Sequence, residues 1–159
     1  QQTLGFQLQD KLALDGIETA QMTGAALMVS AAFTFIVQMT VMQRLNLRPI
    51  QFMRFGLAAL LAGSVIICGF SSFALLAPGM ACLGAGLGLC MPAIYSGASL
   101  AVTPEEQGGA AGLVSACPAI GFVAGPLCAG ALYQIDGLLA PLFSATVFAL
   151  VLALLMFRE

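Results

Sequence analysis

The chain has 159 residues, of which 60% are hydrophobic and 8% charged, and its formal net charge is −2. Its mean hydropathy of +1.02 excludes a soluble globular domain, because such a chain lacks the polar surface that water requires. The small negative charge forms no basic patch, so we expect no nucleic-acid partner.

Four charge-free intervals predict the membrane-spanning segments. They cover residues 19–43, 55–104, 107–135 and 137–157. A helix needs about 20 apolar residues to cross roughly 30 Å of hydrocarbon, so the second interval holds two crossings and each of the others holds one. Long apolar runs without period-2 alternation satisfy their backbone groups as helices, not as barrel strands. We therefore predict an all-α membrane protein with five transmembrane helices.

The predicted helices belong to a single transmembrane domain, residues 1–159. A partial sixth helix precedes them at residues 1–13, where Leu4, Leu8 and Leu12 recur at a helical spacing. We interpret it as the outer end of a helix whose inner part lies upstream of Gln1. The five spans are predicted at 19–43, 52–70, 74–100, 108–133 and 139–157.

Positive charge sets the expected orientation. Every arginine falls on one side of this topology, and Lys11 falls on the other. The arginines are Arg44, Arg48, Arg54 and Arg158. By the positive-inside rule, the arginine side and the C-terminus are expected to be cytoplasmic.

Several residue types that catalysis requires are missing. The chain has no histidine, and no acidic or basic residue falls at predicted mid-membrane depth. These absences exclude Ser-His hydrolases, haem proteins with His ligands, HExxH metalloproteases and intramembrane aspartyl proteases. The five cysteines occur singly inside the predicted spans, where they act as small apolar side chains. We expect no enzymatic activity, metal or cofactor.

Small and polar residues predict which helix faces pack together. Gly84 and Gly88 mark the third span, and Gly121 and Gly125 mark the fourth, because small residues let helix backbones approach closely in lipid. The first span carries a polar stripe of Thr23, Ser30, Thr34 and Gln38. That stripe either forms interhelical hydrogen bonds or lines a wet cavity. The second and fifth spans are apolar nearly all round and are expected on the lipid side.

One set of residues carries a family resemblance: Gly112, Gly121, Gly125, Pro126, Ala129 and Gly130. Their spacing resembles the antiporter signature of the major facilitator superfamily, with Ala129 replacing one glycine. The order of elements resembles that superfamily's C-terminal half, with residues 1–13 as the end of helix seven and the spans as helices eight to twelve. The loop at 44–49 lacks the aspartate and glycine typical of the N-terminal half, which favours this assignment.

The resemblance implies a secondary active transporter that works by alternating access. We expect the C-terminal half of a proton-coupled exporter of drugs or small lipophilic or amphipathic solutes. Its expected partners are the solute, the lipid bilayer and the N-terminal six-helix half, and its expected location is a bacterial inner membrane. Two alternatives remain open: a sugar, metabolite or siderophore carrier of the same superfamily, and a membrane module that binds a partner without transport.

The resemblance also implies which residues form the site, because the seventh and tenth helices line the cavity in similar transporters. The candidate substrate-binding residues are Gln1, Gln2, Phe6, Gln38, Met91, Tyr95 and Ser115. Met and Phe make an adaptable apolar wall that suits lipophilic solutes, although ordinary lipid and core packing is the alternative explanation. The candidate helix-packing residues are Gly84, Gly88, Gly112, Gly121, Gly125, Pro126 and Gly130.

Overall fold

The described part of the chain is entirely helical apart from its connections. The computed structural model describes residues 4–12, 14–45 and 47–157, and these contain no strand. The helices are α1 Leu4–Leu12, α2 Gly16–Arg44, α3 Pro49–Cys68, α4 Phe73–Leu100, α5 Gln107–Ile135 and α6 Leu139–Met156, with a 3₁₀ turn Pro104–Glu106 before α5. Five of them are long and apolar enough to cross a membrane. The predicted all-α membrane fold is confirmed.

The first long helices begin before the predicted spans because capping groups, not hydrophobicity, set where they start. The Asp15 carboxylate accepts a hydrogen bond from the Glu18 backbone N–H at 2.7 Å, so α2 begins at Gly16. Pro49 occupies the first turn of α3, where its missing N–H is not needed. The Gln51 side chain accepts from the Arg48 N–H at 2.9 Å. These polar groups lie outside the apolar intervals.

Helix α4 is the centre of the bundle, and its glycines bring α3 into close contact. Gly86 faces Gly56, and a Cβ on Gly86 would lie 2.7 Å from the Gly56 carbonyl oxygen. Two helical turns away, Gly79 faces Gly63, and a Cβ on Gly63 would lie 2.8 Å from the Gly79 carbonyl oxygen. From the first pair to the second, the residue number falls on α4 and rises on α3, so the two helices are antiparallel. Backbone approach this close requires glycine.

A second glycine seam joins α4 to α2. A Cβ on Gly84 would overlap the Ser30 carbonyl oxygen, and a Cβ on Gly88 would lie 2.9 Å from that of Thr34. The Thr34 hydroxyl donates to the Gly84 carbonyl oxygen at 2.8 Å. For Thr34, the polar stripe of the first span therefore serves interhelical hydrogen bonding.

The other members of that stripe have different surroundings. Ser30 is buried and lies against Gly84. The Thr23 hydroxyl is buried without a hydrogen-bond partner among the described residues, and a Cβ on Gly5 of α1 would lie 3.7 Å from it. Gln38 is half-buried on α2. The stripe thus contributes to contacts with both α1 and α4.

Helix α3 exposes only one stripe, although its composition placed all of it on the lipid side. The exposed residues recur at helical spacing: Gln51, Phe55, Ala58, Ala62 and Val65. Its other faces contain buried residues, among them Gly56, Leu60 and Ser64, and contact α4 and α6. The expectation for the second span was wrong for these faces, because an apolar side chain suits a helix neighbour and lipid equally well.

Helix α6 crosses antiparallel to α3, and the arginine side of the bundle ties the two together. The Arg54 guanidinium donates to the Leu155 carbonyl oxygen from Nε at 3.2 Å and from a terminal nitrogen at 2.8 Å. Leu155 lies in the last turn of α6, whose carbonyls have no intrahelical partner. A cation at this helix end also complements the helix dipole. Arg54 therefore anchors the end of α6.

Candidate functional site

Met91 and Tyr95 share one exposed face of α4. They lie one helical turn apart and are 39% and 42% exposed. The same face continues through Ile94 and Ser99, both exposed. The preceding part of α4 is covered by α2 and α3, and it contains the buried residues Gly84, Gly86, Gly88, Leu89 and Cys90. Towards the arginine side, α4 thus exposes one face while Ala93 on another face stays buried against Phe52 and Leu89.

This face, which we call the α4 face and define as Met91, Ile94, Tyr95 and Ser99, carries no charge. Met91 is flexible and polarisable, so it adapts to apolar solutes of different shape. Tyr95 offers an apolar ring with a hydroxyl that both donates and accepts hydrogen bonds. Ser99 adds a second hydroxyl. Such a surface is suited to solutes that are largely apolar and bear a few polar groups.

The remaining described candidates lie on three other helices. Phe6 on α1 is 61% exposed, Gln38 on α2 is half-buried and Ser115 on α5 is exposed. Met91 and Tyr95 therefore share one face of α4, whereas each of the other three lies on a different helix. Gln1 and Gln2 lie outside the described residues.

The glycines of the signature differ sharply from those of α4. Gly84 and Gly88 contact α2, whereas added Cβ atoms at Gly112, Gly121, Gly125 and Gly130 would meet no heavy atom within 4 Å in the described structure. No described residue of α5 is buried, and Pro118 and Pro126 lie inside this helix. Exposed large side chains flank these glycines: Leu113, Ile120, Phe122, Val123 and Leu127. Helix α5 thus presents a long apolar surface with small residues.

A cavity of about 300 Å³ lies between α1, α3, α4, α5 and α6, and sequence reasoning did not identify it. Its polar lining residues are Gln7, Ser64 and Ser144. The two hydroxyls donate to carbonyl oxygens of their own helices, Ser64 to Leu60 at 2.9 Å and Ser144 to Ala140 at 3.1 Å. The rest of the lining is apolar, and no single polar residue in the sequence marks the position of the cavity.

Sequence reasoning also missed the contacts at the end of α1. The Tyr133 hydroxyl donates a hydrogen bond to the Asp10 carboxylate, and the Tyr133 ring lies 5.9 Å from the Phe6 ring between centroids. The Gln7 amide donates to the Gly137 carbonyl oxygen at 3.1 Å. The helical spacing of Phe6 and Asp10 was the one available signal, and it does not reveal the partner.

The described residues offer no group of three or more potential metal ligands. All five cysteines have free thiols: Cys68, Cys82, Cys90, Cys117 and Cys128. Cys90 is buried against the α3 backbone, where its thiol lies 3.8 Å from the Met53 carbonyl oxygen. A buried thiol with such contacts is a packing group.

Comparison with known proteins identifies one family. The family model of the Major Facilitator Superfamily matches residues 3–159. No curated protein and no solved structure matches the chain. The matched region includes all five helices of membrane-spanning length, and the members of this family are secondary transporters that bind small solutes within the bilayer. The chain therefore belongs to the major facilitator superfamily.

Proposed function

We propose that this chain is the C-terminal six-helix half of a proton-coupled exporter of drugs or other small lipophilic or amphipathic solutes. In this proposal α1 is the end of helix seven, and α2 to α6 are helices eight to twelve. The partner is the N-terminal six-helix half of the same transporter. The protein lies in a bacterial inner membrane with the arginine side and the C-terminus in the cytoplasm.

The uncharged α4 face is the observation that carries the proposal. In a bilayer protein, a polar hydroxyl exposed among apolar residues is costly against hydrocarbon, so Tyr95 and Ser99 favour a cavity over a lipid contact. Met91 and Ile94 provide the apolar part of that surface. A face without charge favours solutes whose surface is mostly apolar.

The exposure of α2 and α5 supports the presence of another half. No described residue of α5 is buried, and only Ala26 and Ser30 are buried on α2. The glycines of α5 leave room for close approach by a helix. Helix α2 precedes α4 in the chain and α5 follows it. Two helices this exposed are suited to an interface with a second bundle that rocks against them.

Proton coupling requires an ionisable group that moves between solvent on the two sides. The described spans carry charge only at their ends: Glu18 and Arg44 on α2, and Arg54 near the start of α3. Intramembrane carboxylates are the usual proton relays. We therefore place the coupling group in the N-terminal half. The present chain, as the C-terminal half, provides the shape and packing of the site.

The proposal is tested by transport with the full-length protein in proteoliposomes, using ethidium as a lipophilic cation and an imposed pH gradient. We expect ethidium to move against its gradient when protons flow the other way. Tyr95→Leu and Met91→Ala are expected to raise the KM. Phe55→Leu on the exposed stripe of α3 is the matched control, because it also shortens an exposed side chain but lies away from the α4 face.

Three outcomes would contradict this function. Ethidium movement that ignores the pH gradient would remove proton coupling. Uptake of a sugar or another polar metabolite, with no ethidium transport, would favour the carrier alternative. No transport of either class by a folded full-length protein would favour a membrane interaction module.

A further inference from the structure

Three side chains of α1 contact the C-terminal end of α5 and the loop that follows it. Phe6 contacts the Tyr133 ring, Asp10 accepts a hydrogen bond from the Tyr133 hydroxyl, and Gln7 donates to the Gly137 carbonyl oxygen. Positions 6 and 10 are one helical turn apart, so they lie on the same side of α1. One residue of α5, Tyr133, therefore contacts both of them.

We propose that Tyr133 is a positioning residue for solute binding, which acts by holding the face of α1 that carries Phe6. This inference rests on the proposed function, because Phe6 is one of the candidate solute contacts. The Tyr133 ring contacts one side of Phe6, and its hydroxyl bonds Asp10, which adds to the burial of Leu4 and Leu8 in holding the rotation of α1. Phe6 still exposes 61% of its surface, so it remains available to a solute.

The role falls on Tyr133 because it is the residue within α5 that bonds α1, the Gln7 bond reaching Gly137 just beyond the helix. No described residue of α5 is buried, and its contacts with α4 and α6 are few compared with those between α3 and α4. A helix without a buried face has low resistance to tilting. The contacts of Tyr133 therefore couple the position of α5 to the rotation of α1, and any tilt of α5 during transport would move Phe6.

Two parts of the Tyr133 side chain can be separated by substitution. Tyr133→Phe keeps the ring against Phe6 and removes the donor to Asp10. Tyr133→Leu removes both. Asp10→Asn keeps an acceptor for the hydroxyl and removes the negative charge, and charge-assisted hydrogen bonds are stronger than neutral ones. The expected order of effect is Asp10→Asn smallest, Tyr133→Phe intermediate and Tyr133→Leu largest.

The functional test measures ethidium transport by the full-length protein as KM and maximal rate. Tyr133→Phe is expected to raise KM by about three- to tenfold, the scale of one lost interhelical hydrogen bond, with little change in maximal rate. The double variant Tyr133→Phe with Asp10→Asn should have the same KM as Tyr133→Phe alone, because the first substitution already removes the hydrogen bond between the two side chains. Glu18→Gln, another exposed carboxylate at this end of the bundle, is the control and should leave KM unchanged.

A second measurement does not depend on transport. In a parent protein whose five native cysteines are replaced by alanine, spin labels at Gln9→Cys and Gln134→Cys, both exposed positions, report the distance between α1 and α5 by pulsed electron resonance. Tyr133→Phe should broaden this distance distribution, and Glu18→Gln should not. If the distribution broadens but no ethidium transport exists, the proposed function fails and the coupling of α1 to α5 stands. An unchanged distribution, or equal KM values for Tyr133→Leu and the parent protein, would overturn the positioning role.

Discussion

The Thr34 hydroxyl donates a hydrogen bond to the Gly84 carbonyl oxygen at 2.8 Å, which ties α2 to α4 near their midpoints. The same hydroxyl lies 2.9 Å from the Ser30 carbonyl oxygen in its own helix. The contact exists because Gly84 has no side chain: a Cβ there would overlap the Ser30 carbonyl oxygen. The missing side chain of Gly84 thus allows the close approach that brings the Thr34 hydroxyl within hydrogen-bond distance of the Gly84 carbonyl oxygen.

Gly84→Ala should be strongly destabilising. Its new methyl group would overlap the Ser30 backbone, which cannot move without shifting α2, so we expect a loss of about 3 kcal/mol or more. The measurement is unfolding of the purified protein in bicelles. Gly24→Ala is the matched control, because a Cβ at Gly24 on α2 meets nothing within 4 Å. Equal stability of the two variants would contradict the close approach of α2 and α4.

Thr34→Val should cost about 0.5–1.5 kcal/mol, because it keeps the shape of the side chain and removes the interhelical hydrogen bond. The matched control is Thr40→Val. The Thr40 hydroxyl donates at 2.6 Å to the Ile36 carbonyl oxygen of its own helix and is exposed. We expect the control to change the free energy of unfolding by less than about 0.5 kcal/mol. A similar loss for both variants would show that the bond to Gly84 adds nothing to stability.

Gly56→Ala should be destabilising in a way that a second substitution partly reverses. The new Cβ would lie 2.5 Å from the Cys90 thiol, which is a side-chain atom, and 3.0 Å from the Gly86 carbonyl oxygen. We expect a loss of about 1–3 kcal/mol from overpacking. In the double variant with Cys90→Ala, the space left by sulfur should recover about 1 kcal/mol relative to the sum of the single effects. Strictly additive losses would contradict this contact.

Arg54→Gln should loosen the end of α6. It removes two donors from the Leu155 carbonyl oxygen and a positive charge from a helix C-terminus, a loss of about 1–3 kcal/mol. Arg54→Lys should be intermediate, because lysine keeps the charge but lacks the forked donors. Hydrogen exchange in the last turn of α6 should rise in Arg54→Gln. The control is Arg44→Gln at the exposed end of α2, for which exchange in α6 should stay at the parent rate.

The number of helices could be predicted from the sequence, but the partner of each helix could not. A charge-free interval indicates that a segment lies in hydrocarbon, and this holds equally for all five spans. Gly56 and Gly63 pack against α4, yet they were not singled out, because they are spaced by seven residues in a helix that looked uniformly apolar. Gly121 and Gly125 were singled out on their spacing, yet an added Cβ at either would meet no described heavy atom within 4 Å. Spacing alone does not say whether a small residue has a partner.

The candidate site was predictable to a similar degree. Met91 and Tyr95 were chosen from helix order by resemblance, and the structure places them on one exposed face of α4. Tyr133 with Asp10, and the cavity lined by Gln7, Ser64 and Ser144, join residues from opposite ends of the chain. Such contacts have no local pattern, because nothing in the sequence near Asp10 depends on the residue that it meets.

The sequence by itself determined that this protein lies in a bilayer and that its described part holds five helices of membrane-spanning length. Those properties follow from the cost of charge and of unpaired backbone groups in hydrocarbon, which acts on each segment separately. Only the tertiary structure decided that α4 is the centre, that two glycine seams hold α2 and α3 to it, and that α5 is tied to α1 through Tyr133. Between helices in lipid the hydrophobic effect gives no preference, so the shapes and hydrogen bonds of particular pairs make the choice.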